Sequence, residues 1–124
     1  MLSKFIVAYL RGTPPVIFGD GEQSRDFTYV ATVVDATLRA CRAPAAPGKV
    51  INVGTGKSAT LNQTITLLNT IFGHSVAPQY AEPRAGDVRH STADISLARS
   101  TLGYELLVSF EDGLRRTVEW LREL

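Results

Sequence analysis

The sequence is short of the residues that cross-link a chain or hold it in a membrane. Its single cysteine, Cys41, excludes an internal disulfide and suggests a reducing compartment, and it is expected to pack on a helix. The longest apolar run near the start, Phe5 to Leu10, falls far below the ~20 residues of a membrane helix. It follows Lys4 and has no cleavage-site pattern. Charge of one sign is also lacking. With 13 Lys and Arg against 12 Asp and Glu, the net charge is +1, so any bound anion must be gripped locally. The two histidines and one cysteine offer no metal-ligand spacing, and no metal site is expected. These absences predict a cytoplasmic chain with neither nucleic acid nor membrane as partner. Against this stands only Asn62-Gln63-Thr64, a glycosylation sequon that a secreted protein alone would use.

What is present suits a folded globule. The chain has 124 residues, 44% hydrophobic and 20% charged, and one domain of this size buries about 65 to 70% of the surface its unfolded chain exposes. Ser3 to Arg11 predicts a helix with Phe5, Ile6, Tyr9 and Leu10 on one side, stopped by Gly12 and Pro14. Val16 to Phe18 predicts a short strand ending in a Gly19-Asp20-Gly21 turn, and Phe27 to Val30 a second extended piece. Val30 to Arg42 predicts a helix with Val33, Val34, Ala36, Thr37 and Ala40 at helical spacing, broken by Pro44, Pro47 and Gly48. Lys49 to Val53, rich in branched residues, predicts a strand. Thr60 and Gln63 form a capping box for a helix buried through Leu61, Ile65, Leu68 and Phe72 and closed by Gly73. Val76 to Tyr80 predicts a strand, and the aperiodic stretch from Ala81 to Thr92 a binding loop. Asp94 is expected to cap a helix over Ile95 to Leu102. Ser109 caps a last one facing inward through Phe110, Leu114, Val118 and Leu121. The fold class is a small α/β (α+β) domain, residues 1–124, with short strands and about five helices.

Two blocks carry chemistry. Pro15 to Val30 joins the Gly-Asp-Gly turn to Gln23, Arg25 and Asp26, and Pro83-Arg84-Ala85-Gly86-Asp87-Val88-Arg89-His90-Ser91 follows downstream. In this order they resemble the substrate-binding, carboxy-terminal part of the extended short-chain dehydrogenases/reductases. That family includes the NAD-dependent nucleotide-sugar epimerases and dehydratases, such as UDP-glucose 4-epimerases. The resemblance implies that Arg25 and Arg84 bind a diphosphate and that Asp87 accepts from ribose hydroxyls. The main chain of Val16 and Phe18 would meet uracil, Gly86 would let the loop pass close to ligand, and Gln23 would touch ribose or phosphate. Two guanidinium forks facing two negative charges suit a UDP-sugar. Asp87 also reads as plain turn chemistry, Gln23 as a turn-stabilising amide, Asp26 as structural, bonding nearby backbone or Arg25, and His90 as exposed or structurally bonded.

The resemblance also sets limits. The family's NAD loop, Thr-Gly-x-x-Gly-x-x-Gly, does not occur, and no lysine stands four places after Tyr9, Tyr29, Tyr80 or Tyr104 to form its Tyr-x-x-x-Lys pair. The chain therefore reads as truncated relative to the family. It is expected to bind a UDP-sugar weakly, to hold no cofactor itself although intact relatives use NAD, and to be non-catalytic alone. Where relatives place aspartates after Tyr29-Val30, this chain has Ala31 and Thr32. A second reading is a non-catalytic dimerisation or interaction module, partnered by another copy or by a separate Rossmann protein. A third uses Gly54-Thr55-Gly56-Lys57-Ser58-Ala59, which spells a Gly-x-Gly-x-x-Ala dinucleotide fingerprint, although the expected acidic residue about 20 positions on is absent. The family has a structural strand-to-helix turn at this point.

Overall fold

The computed structural model describes all residues, 1–124, as a small α/β fold with five helices and short strands. In chain order these are α1 (Leu2–Leu10), β1 (Val16–Phe18), β2 (Ser24–Arg25), α2 (Val30–Arg42), β3 (Ala59–Thr60), α3 (Leu61–Phe72), β4 (Gln79–Ala81), α4 (Ser96–Leu102) and α5 (Phe110–Glu123). β1 pairs with β4 in parallel, Val16 opposite Gln79, and β2 pairs antiparallel with β3, Ser24 opposite Thr60.

The core has two parts. The larger joins α1, β1, α3 and α5 through Phe5, Ile6, Tyr9, Ile17, Leu61, Ile65, Leu68, Leu114 and Val118. Leu68 and Val118 are fully buried, so truncation of either to alanine removes packing worth a few kcal/mol. The smaller joins α2 and α4 through Ala36, Ile95, Ala98, Leu102 and Tyr104, with Ile51 and Val53 leaning on it. Local signals set the helix ends. Both bonds of the Thr60–Gln63 capping box form, Gly73 closes α3 with φ 72°, and Ser109 Oγ accepts the Asp112 amide at the start of α5.

Several expectations are corrected. The extended piece after the first turn lies at Ser24–Arg25 rather than Phe27 to Val30, because that is where β3 offers a ladder partner; Phe27 instead stacks on Phe110, ring centroids 5.0 Å apart. Lys49 to Val53 forms no strand. Branched residues extend the backbone, but no neighbouring strand pairs with residues 50–53, and Val50 is 92% exposed. The strand expected over Val76 to Tyr80 begins only at Gln79, where β1 lies alongside. On α4 the cap position is Ile95, and Asp94 contributes by accepting the Ser96 amide at 2.9 Å. Leu10 is exposed. On α2 the buried residues are Thr32 and Ala36, while Val33, Val34, Thr37 and Cys41 face outward. The helix forms over the expected residues, and of the five at helical spacing only Ala36 is buried, with Ala40 packed against the smaller core.

Candidate functional site

The site is built on the turn after β1. Gly21 (φ 79°) sits so close to α3 that an added Cβ would fall 2.1 Å from Asn62 Oδ1, which excludes a side chain there. Asn62 fixes the turn from α3: its Nδ2 donates to Asp20 O at 3.0 Å, its backbone amide donates to Gly21 O at 3.1 Å, and its Oδ1 accepts from the Tyr80 hydroxyl. Asn62, the sequon asparagine, is thereby committed to the turn. Gln23 is buried and donates from Nε2 to Phe18 O at 2.6 Å, while its Oε1 has no protein partner.

Asp26 holds the base of the same segment. It accepts from the Thr55 amide and hydroxyl, the Gly56 amide, the Ala93 amide and the Thr28 hydroxyl. Burial acts to raise its pKa, but the Thr55 hydroxyl and these amides outweigh it and hold the carboxyl below its ordinary value. Asp26 is structural, as its sequence setting implies, and acts through amides remote in sequence and two threonine hydroxyls, not through Arg25. Its grip also decides how the Gly54-Thr55-Gly56 turn is used. A Cβ on Gly54 would lie 2.7 Å from both Ala93 Cβ and Asp26 Oδ2, and the amides that would cradle a pyrophosphate already hold this carboxylate. No strand precedes the turn and α3 begins only at Leu61, so the strand-turn-helix setting of a dinucleotide fingerprint is absent. Tyr104, buried and with its pKa raised by that burial, donates its hydroxyl to Gly54 O.

The loop of residues 81–92 closes over this frame. Its end is pinned by the Ser24 amide donating to Arg89 O, the Ser91 amide donating to Ser24 O, and a Ser24 Oγ to His90 Nδ1 contact of 2.9 Å. His90 is thus exposed and structurally bonded. Arg89 forks onto Asp20 at 2.7 and 2.8 Å, and this hydrogen bonding, with the Glu22 amide, lowers the Asp20 pKa to about 2. Arg84 stacks over the Phe18 ring at 3.9 Å. Asp87, two residues after the turn's Ala85, accepts Arg25 Nη2 at 2.7 Å.

The structure brings together six of the residues singled out from the sequence, while Gly86 lines neither cavity and has open space around it. Val16, Phe18, Gln23, Arg25, Arg84 and Asp87 all line one cavity of about 630 Å³, floored by Leu61 and flanked by Lys4 of α1. Phe18, Gln23, Arg84 and Asp87 also line an adjoining cavity of about 890 Å³ that adds Asp20, Tyr80 and Arg89. Sequence reasoning missed two cations. Lys4 carried no signal, being one lysine on a helix, whereas Arg89 stood inside the second block and its pairing with Asp20 required the loop to fold back. A separate apolar groove of about 440 Å³, lined by Phe27, Tyr29, Val30, Phe110 and Trp120, holds none of these residues.

Residues 1–54 match the model of the NAD dependent epimerase/dehydratase family. A UDP-glucose 4-epimerase of Mycolicibacterium smegmatis is 39% identical over 122 residues, which are 98% of this chain and 39% of that protein. Among solved structures, the Thermotoga maritima UDP-glucose 4-epimerase with UDP-glucose superposes with a TM-score of 0.92 at 44% identity, covering 98% of this chain and 39% of that one. The Bacillus cereus UDP-glucuronic acid 4-epimerase in complex with UDP-glucuronic acid and NAD gives 0.92 at 32% identity, with the same coverages. The chain thus spans about two fifths of the length of these relatives. No helix is long and apolar enough to cross a membrane. Motif order, fold and similarity along nearly the whole chain agree, and the chain belongs to the NAD-dependent epimerase/dehydratase family, matching about two fifths of the length of these relatives.

Proposed function

We propose that this chain is the nucleotide-sugar-binding segment of an epimerase- or dehydratase-like protein, that it takes UDP-sugars weakly, and that it does not turn them over alone. The observation that carries this is the single cavity lined by Val16, Phe18, Gln23, Arg25, Arg84 and Asp87. Its volume lies within the range of small-molecule sites, roughly 300 to 1,000 Å³. Relatives of the same fold have been solved with UDP-glucose and with UDP-glucuronic acid, which supports the ligand class.

The chemistry follows from the contacts. Arg25 is held by Asp87, so a diphosphate entering the cavity exchanges one anion for another on the same guanidinium. The displaced Asp87 carboxylate is then free to accept from ribose hydroxyls. Arg84 reaches the second phosphate from its seat on Phe18, and Lys4 adds charge at the rim. The buried Oε1 of Gln23 lacks a donor that a nucleotide N–H or hydroxyl supplies after a small side-chain movement. NAD and the Tyr-x-x-x-Lys pair, in this reading, belong to polypeptide outside these residues, so hydride and proton transfer are assigned to no residue here.

Calorimetric titration with UDP tests the assignment. Replacement of Arg25 or Arg84 by alanine is expected to weaken binding by about 1.5 to 3 kcal/mol each, the scale of a hydrogen bond to a charged group. An unchanged affinity in either variant removes that arginine from the site.

A further inference from the structure

Between two fixed ends, the 81–92 loop reaches the cavity through the turn Arg84-Ala85-Gly86-Asp87. One end is fixed at β4, where the Gly19 amide donates to Ala81 O at 2.9 Å, and the other by the Ser24 amide on Arg89 O and the Arg89 fork on Asp20. Outside the strands, the one main-chain bond within residues 82–88 runs from the Asp87 amide to Arg84 O at 3.3 Å and closes the turn. Nothing stands within 4 Å of a Cβ placed on Gly86, so the tip is free of packing. The charged side chains at its two ends bind the turn to the frame, Arg84 over the Phe18 ring at 3.9 Å and Asp87 on Arg25 Nη2 at 2.7 Å. Arg25 is fixed independently of the turn. Its Nη1 donates to Ser24 O at 2.8 Å and its side chain is 22% exposed, against 41% for Asp87. The guanidinium therefore keeps its place when Asp87 leaves.

We propose that the Arg84 to Asp87 turn is a self-closing latch, in which the Asp87 carboxylate occupies Arg25 as an internal anion until a ligand phosphate displaces it. The latch rests on the reading of the cavity as a nucleotide-sugar site and adds how entry to that site is governed. An anion reaches Arg25 only after the Arg25–Asp87 pair breaks, so its apparent affinity is reduced by the fraction of molecules in which the latch is shut. The pair is partly open to water, where such pairs shift an equilibrium by up to about fivefold. Asp87 thus acts in two senses. It opposes every anion on Arg25, and it aids only a ligand that brings hydroxyls to the released carboxylate. A bare phosphate meets the opposition alone, whereas a nucleoside diphosphate meets both, and the latch filters the cavity against inorganic phosphates.

Titration of the 124-residue chain with inorganic pyrophosphate, followed by NMR, tests this. Asp87→Asn is expected to bind pyrophosphate about two- to fivefold more tightly than the wild type, and Asp87→Glu, which keeps an anion on the turn, to stay within about twofold of it. Glu82→Gln removes the same charge from the same loop at a residue with no ion-pair partner, and is expected to tighten binding less than Asp87→Asn does. An Asp87→Asn chain that binds pyrophosphate no more tightly than the wild type overturns the proposal. An equal gain in Glu82→Gln also overturns it, since the effect is then one of general charge. UDP titrated alongside keeps the two readings apart. Saturable UDP shifts without a pyrophosphate gain in Asp87→Asn overturn the latch alone, while no UDP shifts in any form overturn the site reading and the latch with it.

Discussion

Asp26 joins three stretches of chain far apart in sequence, the start of β2's exit, the Gly54-Thr55-Gly56 turn and the entry to α4, through five accepted hydrogen bonds. Asparagine is nearly the same size but turns one acceptor into a donor that faces N–H groups. Asp26→Asn is therefore expected to destabilise the chain by about 1 to 3 kcal/mol in urea denaturation, the cost of leaving a buried polar group unsatisfied. A midpoint within error of wild type would remove Asp26 from this role. Its structural character was readable beside Arg25, but its partners were not, since their distance in sequence exceeds anything a local turn rule addresses. Gly21 was equally visible as a turn residue, while the reason it must be glycine lies in Asn62 across the fold.

The elements best foreseen are those whose ends are set by local chemistry. α3 begins at a capping box and ends at a left-handed glycine, α5 begins at Ser109, and β1 ends at the Gly-Asp-Gly turn. Those misplaced depend on a partner the sequence does not name: the strand expected at Lys49 to Val53, and the extended piece expected at Phe27 to Val30. The candidate site was legible to a similar degree, with six cavity residues found in two motifs and the loop's closure missed. That closure predicts a pH response. The Arg89 fork holds the Asp20 carboxyl at about 2 instead of 3.8, so the pair's contribution is present above the unfolded value and is lost as pH falls from about 4 toward 2. Carboxyl-carbon NMR is expected to show Asp20 titrating near 2 in the wild type and closer to 3.8 in Arg89→Ala. A wild-type midpoint already at 3.8 would mean that the 81–92 loop is not tethered through this pair.

At the scale of the whole molecule, the features divide between two faces. One gathers the turn, the 81–92 loop and α1 around the cavity that Arg25, Arg84 and Asp87 line; elsewhere the outer stripe of α2 and the apolar groove near Trp120 stand uncovered. Such surfaces fit a segment that accounts for about two fifths of its relatives' length. The central claim is that the cavity lined by Arg25, Arg84 and Asp87 works as a nucleotide-sugar half-site in these 124 residues. A two-dimensional NMR titration of the labelled chain with UDP tests it most directly, with NAD titrated in parallel. The account predicts saturable UDP shifts clustered at Val16, Phe18, Gln23, Arg25, Arg84 and Asp87, with the Gly54 to Gly56 amides unmoved by NAD. No shifts at millimolar UDP, or shifts centred on Gly54 to Gly56, would contradict it.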